Sequence, residues 1–397
     1  MIIAEVLVLI ILVYGVCDLL FRWMGIGAYA WGSRSSPKIA LTFDDGPSEH
    51  TRSLLELLHR HGVKATFFVT GVQAERHPDL LEALRADGHQ IESHGYWHRQ
   101  AFFLWPWQEA RHIQRVPGKL YRPPYGAHSP FTRLLARLHG KVVALWDLES
   151  KDWTDRPAEE LAEYLILWCK PGSVLLLHDR YPLTLRILEI ALPRLIELGY
   201  QPVRMDEMDL EPLGVRQGLQ RAFQGYHERY FEKNRVERLG LEVFDLLSVG
   251  PTAFPGPAVP EAQPGVKAYE VHLDSVRSSA LPTMALLRQT RRGFQLLAQR
   301  LEGEPEIRLV YGISYAAVGL KVFGFKLYPV SRLQTLITGI ANLWFMWIYR
   351  GELPKRDLPL VQLAYITREE LLARYGPREA TAASPPPPPA EPQSPPA

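Results

Sequence analysis

The chain is poor in cysteine, in net charge and in long apolar runs, and each shortage removes a class of protein. Two cysteines, Cys17 and Cys169, among 397 residues do not make a disulfide framework, since one lies in an apolar N-terminal segment and the other far downstream. A formal net charge of +2 gives no polyelectrolyte character, and no basic stripe is interleaved with aromatics, so nucleic acid is not a partner. No internal repeat is present. What remains is ordinary globular composition, 47% hydrophobic and 22% charged, over a length that accommodates two or three domains. Nothing in it sets an oligomeric state.

Only one apolar run approaches membrane length. Ile2 to Leu20 is nearly all apolar, interrupted by Glu5 and Asp18, and a spanning helix needs ~20 such residues. This predicts a single-pass transmembrane anchor over residues 1–24. A cleaved signal peptide competes, because Ala28-Tyr29-Ala30 has the small-x-small form of a cleavage site, but no basic residue precedes the run. Arg22 and Arg34 follow it, which by the positive-inside tendency would hold that side in the cytoplasm; the substrate expected below places it outside the cell membrane instead. A second run, Leu336 to Tyr349, is too short to span and reads as a buried helix, with Trp344, Phe345 and Trp347 leaving an interfacial role open.

From Lys38 to Arg204, short β-like runs alternate with amphipathic helical stretches. Lys38–Phe43, Ala65–Val69, Gln90–Ser93, Leu120–Arg122, Val142–Trp146, Val174–Leu177 and Gln201–Arg204 read as strands. Thr51–His61, Pro78–Ala86, Leu161–Cys169 and Leu185–Leu198 read as helices. Repeated βα units predict an α/β fold, a distorted (β/α) barrel of about seven strands with helices outside. A smaller α+β domain follows over residues 206–378. Its elements are a charged amphipathic helix or helix pair over Gly214–Leu239, a Pro/Gly-rich loop or linker over Gly250–Gly265, strands at Tyr269–Leu273, Arg308–Ile313 and Val361–Ile366, and helices at Leu281–Leu301, Leu333–Tyr349 and Arg368–Tyr375. Residues 379–397, with Pro385 to Pro389 in a row, read as a disordered tail.

In such a barrel the working residues belong at the C-terminal ends of strands. Asp44 and Asp45 follow the first strand, in Thr42-Phe43-Asp44-Asp45-Gly46-Pro47, where alternating side-chain directions let neighbouring acids serve different partners. His94-Gly95-Tyr96-Trp97-His98 follows the third. Two histidines four apart share one face if that turn is helical, and with a carboxylate they form a two-His, one-carboxylate set for a divalent metal. Arg122-Pro123-Pro124-Tyr125-Gly126 offers a fixed cation on a rigid loop. Asp152-Trp153 comes after the fifth strand, and Val174 to Leu177 runs into His178-Asp179, where His178 is a candidate general acid or base.

These stretches, in this order, resemble the five motifs of the polysaccharide deacetylases of carbohydrate esterase family 4, the NodB-homology domain, over roughly residues 38–205. The resemblance implies metal-dependent hydrolysis of N-acetyl groups from amino sugars. It implies Asp45, His94 and His98 as ligands of zinc, or of cobalt, nickel, iron or manganese in its place. Asp44 is then the general base, positioned by Arg122. Tyr125 gives a backbone N–H to the oxyanion, Leu176 lines the acetyl pocket, His178 is the general acid tuned by Asp152, and Trp153 shields the site.

Two departures from the family pattern stand out. Only 23 residues separate His98 from Arg122, implying a shortened wall on that side, and Glu149 stands in the fourth motif where aspartate is commoner. Phe102-Phe103-Leu104-Trp105-Pro106-Trp107 is aromatic for a loop and reads either as a patch packed under that wall or as a surface for sugar stacking or membrane contact. The second domain, ending in Thr367-Arg368-Glu369-Glu370-Leu371, resembles the YkoP-like domain, which carries no known mechanism. The reading is therefore a membrane-anchored N-deacetylase of a cell-envelope glycan such as peptidoglycan or a chitin-like polymer. A deacylase of a lipid-linked sugar and a non-catalytic carbohydrate-binding pseudoenzyme are the alternatives.

Overall fold

The computed structural model describes residues 2–314, 317–351 and 361–377. Helix α1 (Ile2–Met24) precedes an all-parallel sheet of β1 (Lys38–Asp44), β2 (Thr66–Val69), β3 (Gln90–Ser93), β4 (Leu120–Tyr121), β5 (Val142–Val143), β6 (Leu148–Glu149), β7 (Val174–His178) and β8 (Gln201–Val203). The path β5-β4-β3-β2-β1-β7-β6 is a curled seven-strand half-barrel, and β8 pairs with the first residues of β1. Helices α2 (Thr51–Arg60), α3 (Gly71–Arg76), α4 (Pro78–Ala86), α5 (Pro106–Gln114), α6 (Pro130–Leu138), α7 (Ala158–Trp168) and α8 (Pro182–Glu197) connect the strands. The distorted barrel read from the sequence is what forms.

β1 is buried from Ile39 to Asp44 because both of its faces are covered, as a central parallel strand requires. Ile39, Leu41 and Phe43 pack with Leu54 and Leu57 of α2, Leu161 and Leu165 of α7 and Leu188 and Leu192 of α8. Ala40 joins Phe68, Val174 and Met205 in a separate inner cluster. The period of two therefore puts Ala40, Thr42 and Asp44 on the inner face. The gap between β5 and β7 is bridged by the segment after α1: Tyr29 N–H donates to Val143 O at 2.9 Å and Gly32 N–H to Gly172 O at 2.8 Å. Ala28 and Ala30 are fully buried there, so the small-x-small sequence is part of the barrel wall.

A second sheet, of order β13-β14-β12-β11-β10-β9, follows. Its elements are α9 (Val215–Lys233), β9 (Glu237–Arg238), β10 (Leu247–Ala253), β11 (Lys267–Leu273), α10 (Ser275–Ala280), α11 (Thr283–Glu302), β12 (Leu309–Ser314), α12 (Ala317–Leu320), β13 (Lys326–Pro329), α13 (Arg332–Arg350), β14 (Gln362–Thr367) and α14 (Arg368–Tyr375). Phe294, Leu297 and Leu301 of α11 and Leu371 of α14 cover it on one face.

Four expectations are corrected. Leu148–Glu149 is a strand, too short for its pattern to show in sequence, so Asp152 follows β6 rather than the fifth strand. Gly250 to Ala253 is not loop but the end of β10. Pro251 is tolerated there because β9 pairs only with Ser248 and Val249, leaving no partner on that edge for the missing N–H. Helix α13 is not buried, since Leu333, Leu336, Ile337, Ile340 and Trp344 lie exposed along one face. Finally, α1 forms, with Val8 to Val13 exposed, yet among the described residues no helix is long and apolar enough to cross a membrane. Glu5 and the Asp18–Arg22 ion pair cut into the apolar run from both ends. Residues 379–397 lie outside the described residues.

Candidate active site

All the motif residues converge on the rim at the C-terminal ends of the strands. Asp44 ends β1 and is paired in register with His178 at the end of β7. Arg122, at the end of β4, is wholly buried and donates through Nη1 to Asp44 Oδ1 at 2.8 Å and Thr42 Oγ1 at 2.6 Å. Nη2 donates to Leu145 O at 3.0 Å, and the guanidinium lies 3.9 Å over the Phe68 ring. Burial lowers the Arg122 pKa and the neighbouring Asp44 carboxylate opposes that shift.

Asp45 leaves the strand with φ of 72°, a left-handed conformation that costs a non-glycine residue free energy and that clusters at functional sites. Strand alternation is therefore not what separates the two acids; the left-handed residue turns Asp45 out of the strand. His98 (φ 50°) and Tyr125 (φ 61°) share this conformation. The His94–His98 stretch is a loop, not a helical turn, and the left-handed His98 folds its ring back to 5.0 Å from that of His94. Asp45 Oδ1 then lies 3.3 Å from His94 Nε2 and 3.0 Å from His98 Nε2.

These three side chains fit a divalent ion. Their ligand atoms lie within 4.8 Å of one another, and Asp45 Oδ1 is buried without a hydrogen-bond partner. The His94 Nδ1–H donates to Arg122 O at 2.8 Å, which fixes the ring with Nε2 facing inward. Burial alone would raise the Asp45 carboxyl, but His94 and His98 outweigh it and hold it well below the usual carboxylate range.

Across the cleft, His178 Nδ1 meets Asp152 Oδ1 at 2.7 Å, and Asp152 Oδ2 accepts from His178 N–H at 2.8 Å and Thr184 Oγ1 at 2.7 Å. Burial would lower His178, but the hydrogen bond and charge of Asp152 prevail and raise it to about 9. Tyr125 sits in a tight turn, its ring 4.8 Å from His98, and its N–H has no backbone partner among the described residues. Leu176 is buried on β7. Trp153, 56% exposed, donates through Nε1 to Glu149 Oε1 at 2.8 Å, a bond that the longer glutamate side chain reaches.

Sequence reasoning passed over three supports. Asp179, fully buried, accepts from Ser48 Oγ and Thr51 Oγ1, both at 2.8 Å, and so ties down the Gly46–Pro47 turn; its place beside His178 was the available signal. His112 Nδ1 accepts from the Tyr96 and Trp97 N–H groups at 3.1 and 3.2 Å, bracing the His94–His98 loop from α5. Arg180 Nη1 lies 3.5 Å from Asp45 Oδ2 at the mouth. The crossover from His98 to Arg122 holds a 3-10 turn at Ala101–Phe103 and the single α-helix α5, and Phe102, Phe103, Trp105 and Trp107 at its entrance are 69%, 73%, 64% and 59% exposed, so they are not packed under a wall.

The family described as "Polysaccharide deacetylase" matches residues 32–144, a stretch that holds Asp44, Asp45, His94, His98 and Arg122. This domain belongs to the polysaccharide deacetylase family. The chain is 31% identical over 194 residues to the peptidoglycan-N-acetylglucosamine deacetylase PgdA of Listeria monocytogenes, covering 46% of this chain and 41% of that protein. It is 33% identical over 184 residues to a peptidoglycan-N-acetylglucosamine deacetylase of Bacillus cereus, covering 41% and 66%. The crystal structure of the Bc1960 peptidoglycan N-acetylglucosamine deacetylase superposes with a TM-score of 0.44 at 28% identity, over 46% of this chain and 93% of that one. The likeness to these polysaccharide deacetylases thus covers under half of this chain and, for the Listeria protein, under half of the relative.

Proposed function

We propose that the protein is a metal-dependent hydrolase that removes N-acetyl groups from amino sugars of a cell-envelope polysaccharide such as peptidoglycan or a chitin-like polymer. The observation that carries this reading is the approach of Asp45, His94 and His98 to one point, with the Arg122-held Asp44 on one side and the Asp152-held His178 on the other. Asp45, His94 and His98 would hold a divalent ion, zinc or a similar metal, which would polarise the amide carbonyl and acidify a water near neutral pH.

The protein's own groups divide the remaining work. Asp44 takes the proton of the attacking water as the new C–O bond forms, and Arg122 keeps its carboxylate aimed and charged. The Tyr125 N–H donates to the oxyanion that develops on the former carbonyl. His178, protonated and presenting Nε2, gives a proton to the amine nitrogen as the C–N bond breaks, so acetate and a free amino sugar leave. Leu176 receives the acetyl methyl, and Trp153 limits water access from the rim. A carbohydrate-binding pseudoenzyme has no need of an ionised base beside a metal set and a charged acid opposite it.

The exposed Phe102, Phe103, Trp105 and Trp107, in a stretch whose Phe102 lines a cavity with Tyr14 of α1, favour a second substrate reading, in which the acetylated sugar is lipid-linked and this aromatic ledge rests against the membrane surface. The exposed apolar face of α1 supports location at the cell membrane, and an envelope substrate requires the site to lie outside it. Incubation with N-acetylglucosamine oligomers, peptidoglycan and lipid-linked N-acetyl sugars, with acetate measured for each, separates these substrates.

A further inference from the structure

Between the two sheets lies a cluster of cations that the deacetylase motifs do not use. Arg34, Lys170, Arg221, Arg238 and Arg277 line one cavity of about 60 Å³, against a single acid, Asp274. The chain as a whole carries only +2, so this concentration does not follow from composition. Two of the five are satisfied. Arg34 donates to Asp147 Oδ2 and Pro171 O, each at 2.8 Å. Arg277 is bonded to Asp274 at 2.5 Å, Cys169 O at 2.6 Å and Tyr200 Oη at 3.2 Å, which leaves the cavity's one carboxylate already engaged.

The other three have donors with nothing to bind. Arg238 reaches Leu167 O at 3.0 Å through Nη1, but its Nη2 is buried without a partner. Arg221 also lines the cavity, and its Nη1, which lies against Gly25, is buried and unpartnered. Lys170, on the loop after α7, has no ion pair and no side-chain hydrogen bond among the described residues. Burial pulls both Arg221 and Arg238 down to about 10, with the Arg277 charge adding to it at Arg238. A fold does not keep unpaired buried cations cheaply, because desolvation penalises each one until a counter-charge arrives.

We infer that this cavity is a binding site for a phosphate-type oxyanion, held by Lys170, Arg221 and Arg238 and gripped between the two sheets. Three cations from three separate elements suit a tetrahedral dianion, which accepts from several directions at once, better than they suit a planar carboxylate. A neighbouring cavity of about 390 Å³ shares Trp31, Arg34, Gln220, Val276 and Tyr349 with the first and adds Arg216, giving a basic entrance. The phosphate is either free or the headgroup of a lipid. Its consequence is mechanical: the anion fixes the second sheet to the deacetylase barrel through Lys170 on one and Arg238 on the other.

The test is titration of the full chain with inorganic phosphate and, separately, with short-chain phosphatidic acid below its micelle concentration. Chelator is present throughout, so that the Asp45–His94–His98 centre takes no phosphate. Saturable binding of either probe is expected, with at least tenfold loss of affinity in Lys170→Gln and in Arg238→Gln. Binding of phosphate identifies the free anion, and binding of the lipid alone identifies the headgroup. Lys170→Gln removes no hydrogen bond from the fold, so its melting temperature without phosphate should equal or exceed that of the wild type. Its rise in melting temperature with phosphate should be smaller. Absence of saturable binding, an affinity unchanged in both variants, or a thermal response no greater than that to sodium chloride at equal ionic strength would overturn the assignment.

Discussion

Arg122 Nη1 stands 2.8 Å from Asp44 Oδ1, and its side chain has no exposure to solvent. The cation cannot leave, so the acid beside it has a fixed position. Replacing Arg122 with Met strands Asp44 in the interior. Denaturant unfolding should show a loss of ~3–5 kcal/mol, the usual cost of breaking a buried pair from one side, and deacetylation should fall with it.

Asp44→Asn is the milder change. It keeps an acceptor for Arg122 and so keeps the fold, but it has no basic oxygen. Turnover should drop by ~10²–10⁴-fold, the ordinary contribution of a general base, while metal content measured by atomic emission stays at the wild-type level. His94→Ala should lose both metal and turnover.

The acid limb rests on Asp152. With His178 raised to about 9, the proton donor is present through neutral pH and activity should decline only as pH rises past that value. Asp152→Asn leaves only the charges of Asp44 and Asp45 to oppose burial, so the alkaline limb of kcat should move down toward ~6.5, the ordinary imidazole range. The same shift makes a stability contribution that is full below ~6.5 and vanishes as pH climbs to about 9, readable as a pH-dependent melting temperature that the variant lacks.

Gly46 admits no side chain. A Cβ there would lie 2.1 Å from Asp179 Oδ2, the carboxylate that holds Ser48 and Thr51. Gly46→Ala should therefore displace Asp179, cost ~1–3 kcal/mol as overpacking does, and loosen Asp45 enough to raise the dissociation constant for zinc.

Much of this was legible in the residue order. The half-barrel could be read because β1, β2 and β7 are apolar runs covered on both faces, and the rim because chemistry-bearing residues follow strand ends. Leu148–Glu149 could not be read, since two residues carry no period, and its absence misplaced Asp152 by one strand. The separation of Asp44 from Asp45 was expected from strand alternation, whereas a positive φ, invisible in composition, produces it. The exposure of α13 was missed, and that of the 102–107 aromatics was left open, because hydrophobicity alone does not say which face the rest of the chain covers. The supports Asp179 and His112 act through hydrogen bonds to backbone and hydroxyl groups brought close only by folding.

The most direct measurement is acetate and free-amine release from N-acetylglucosamine oligomers and peptidoglycan by the purified protein, before chelation, after it, and after zinc is restored. The account predicts release that stops with chelator, returns with zinc, and is nearly absent in Asp44→Asn despite bound metal. Release that persists through chelation, or full activity of Asp44→Asn, would contradict it.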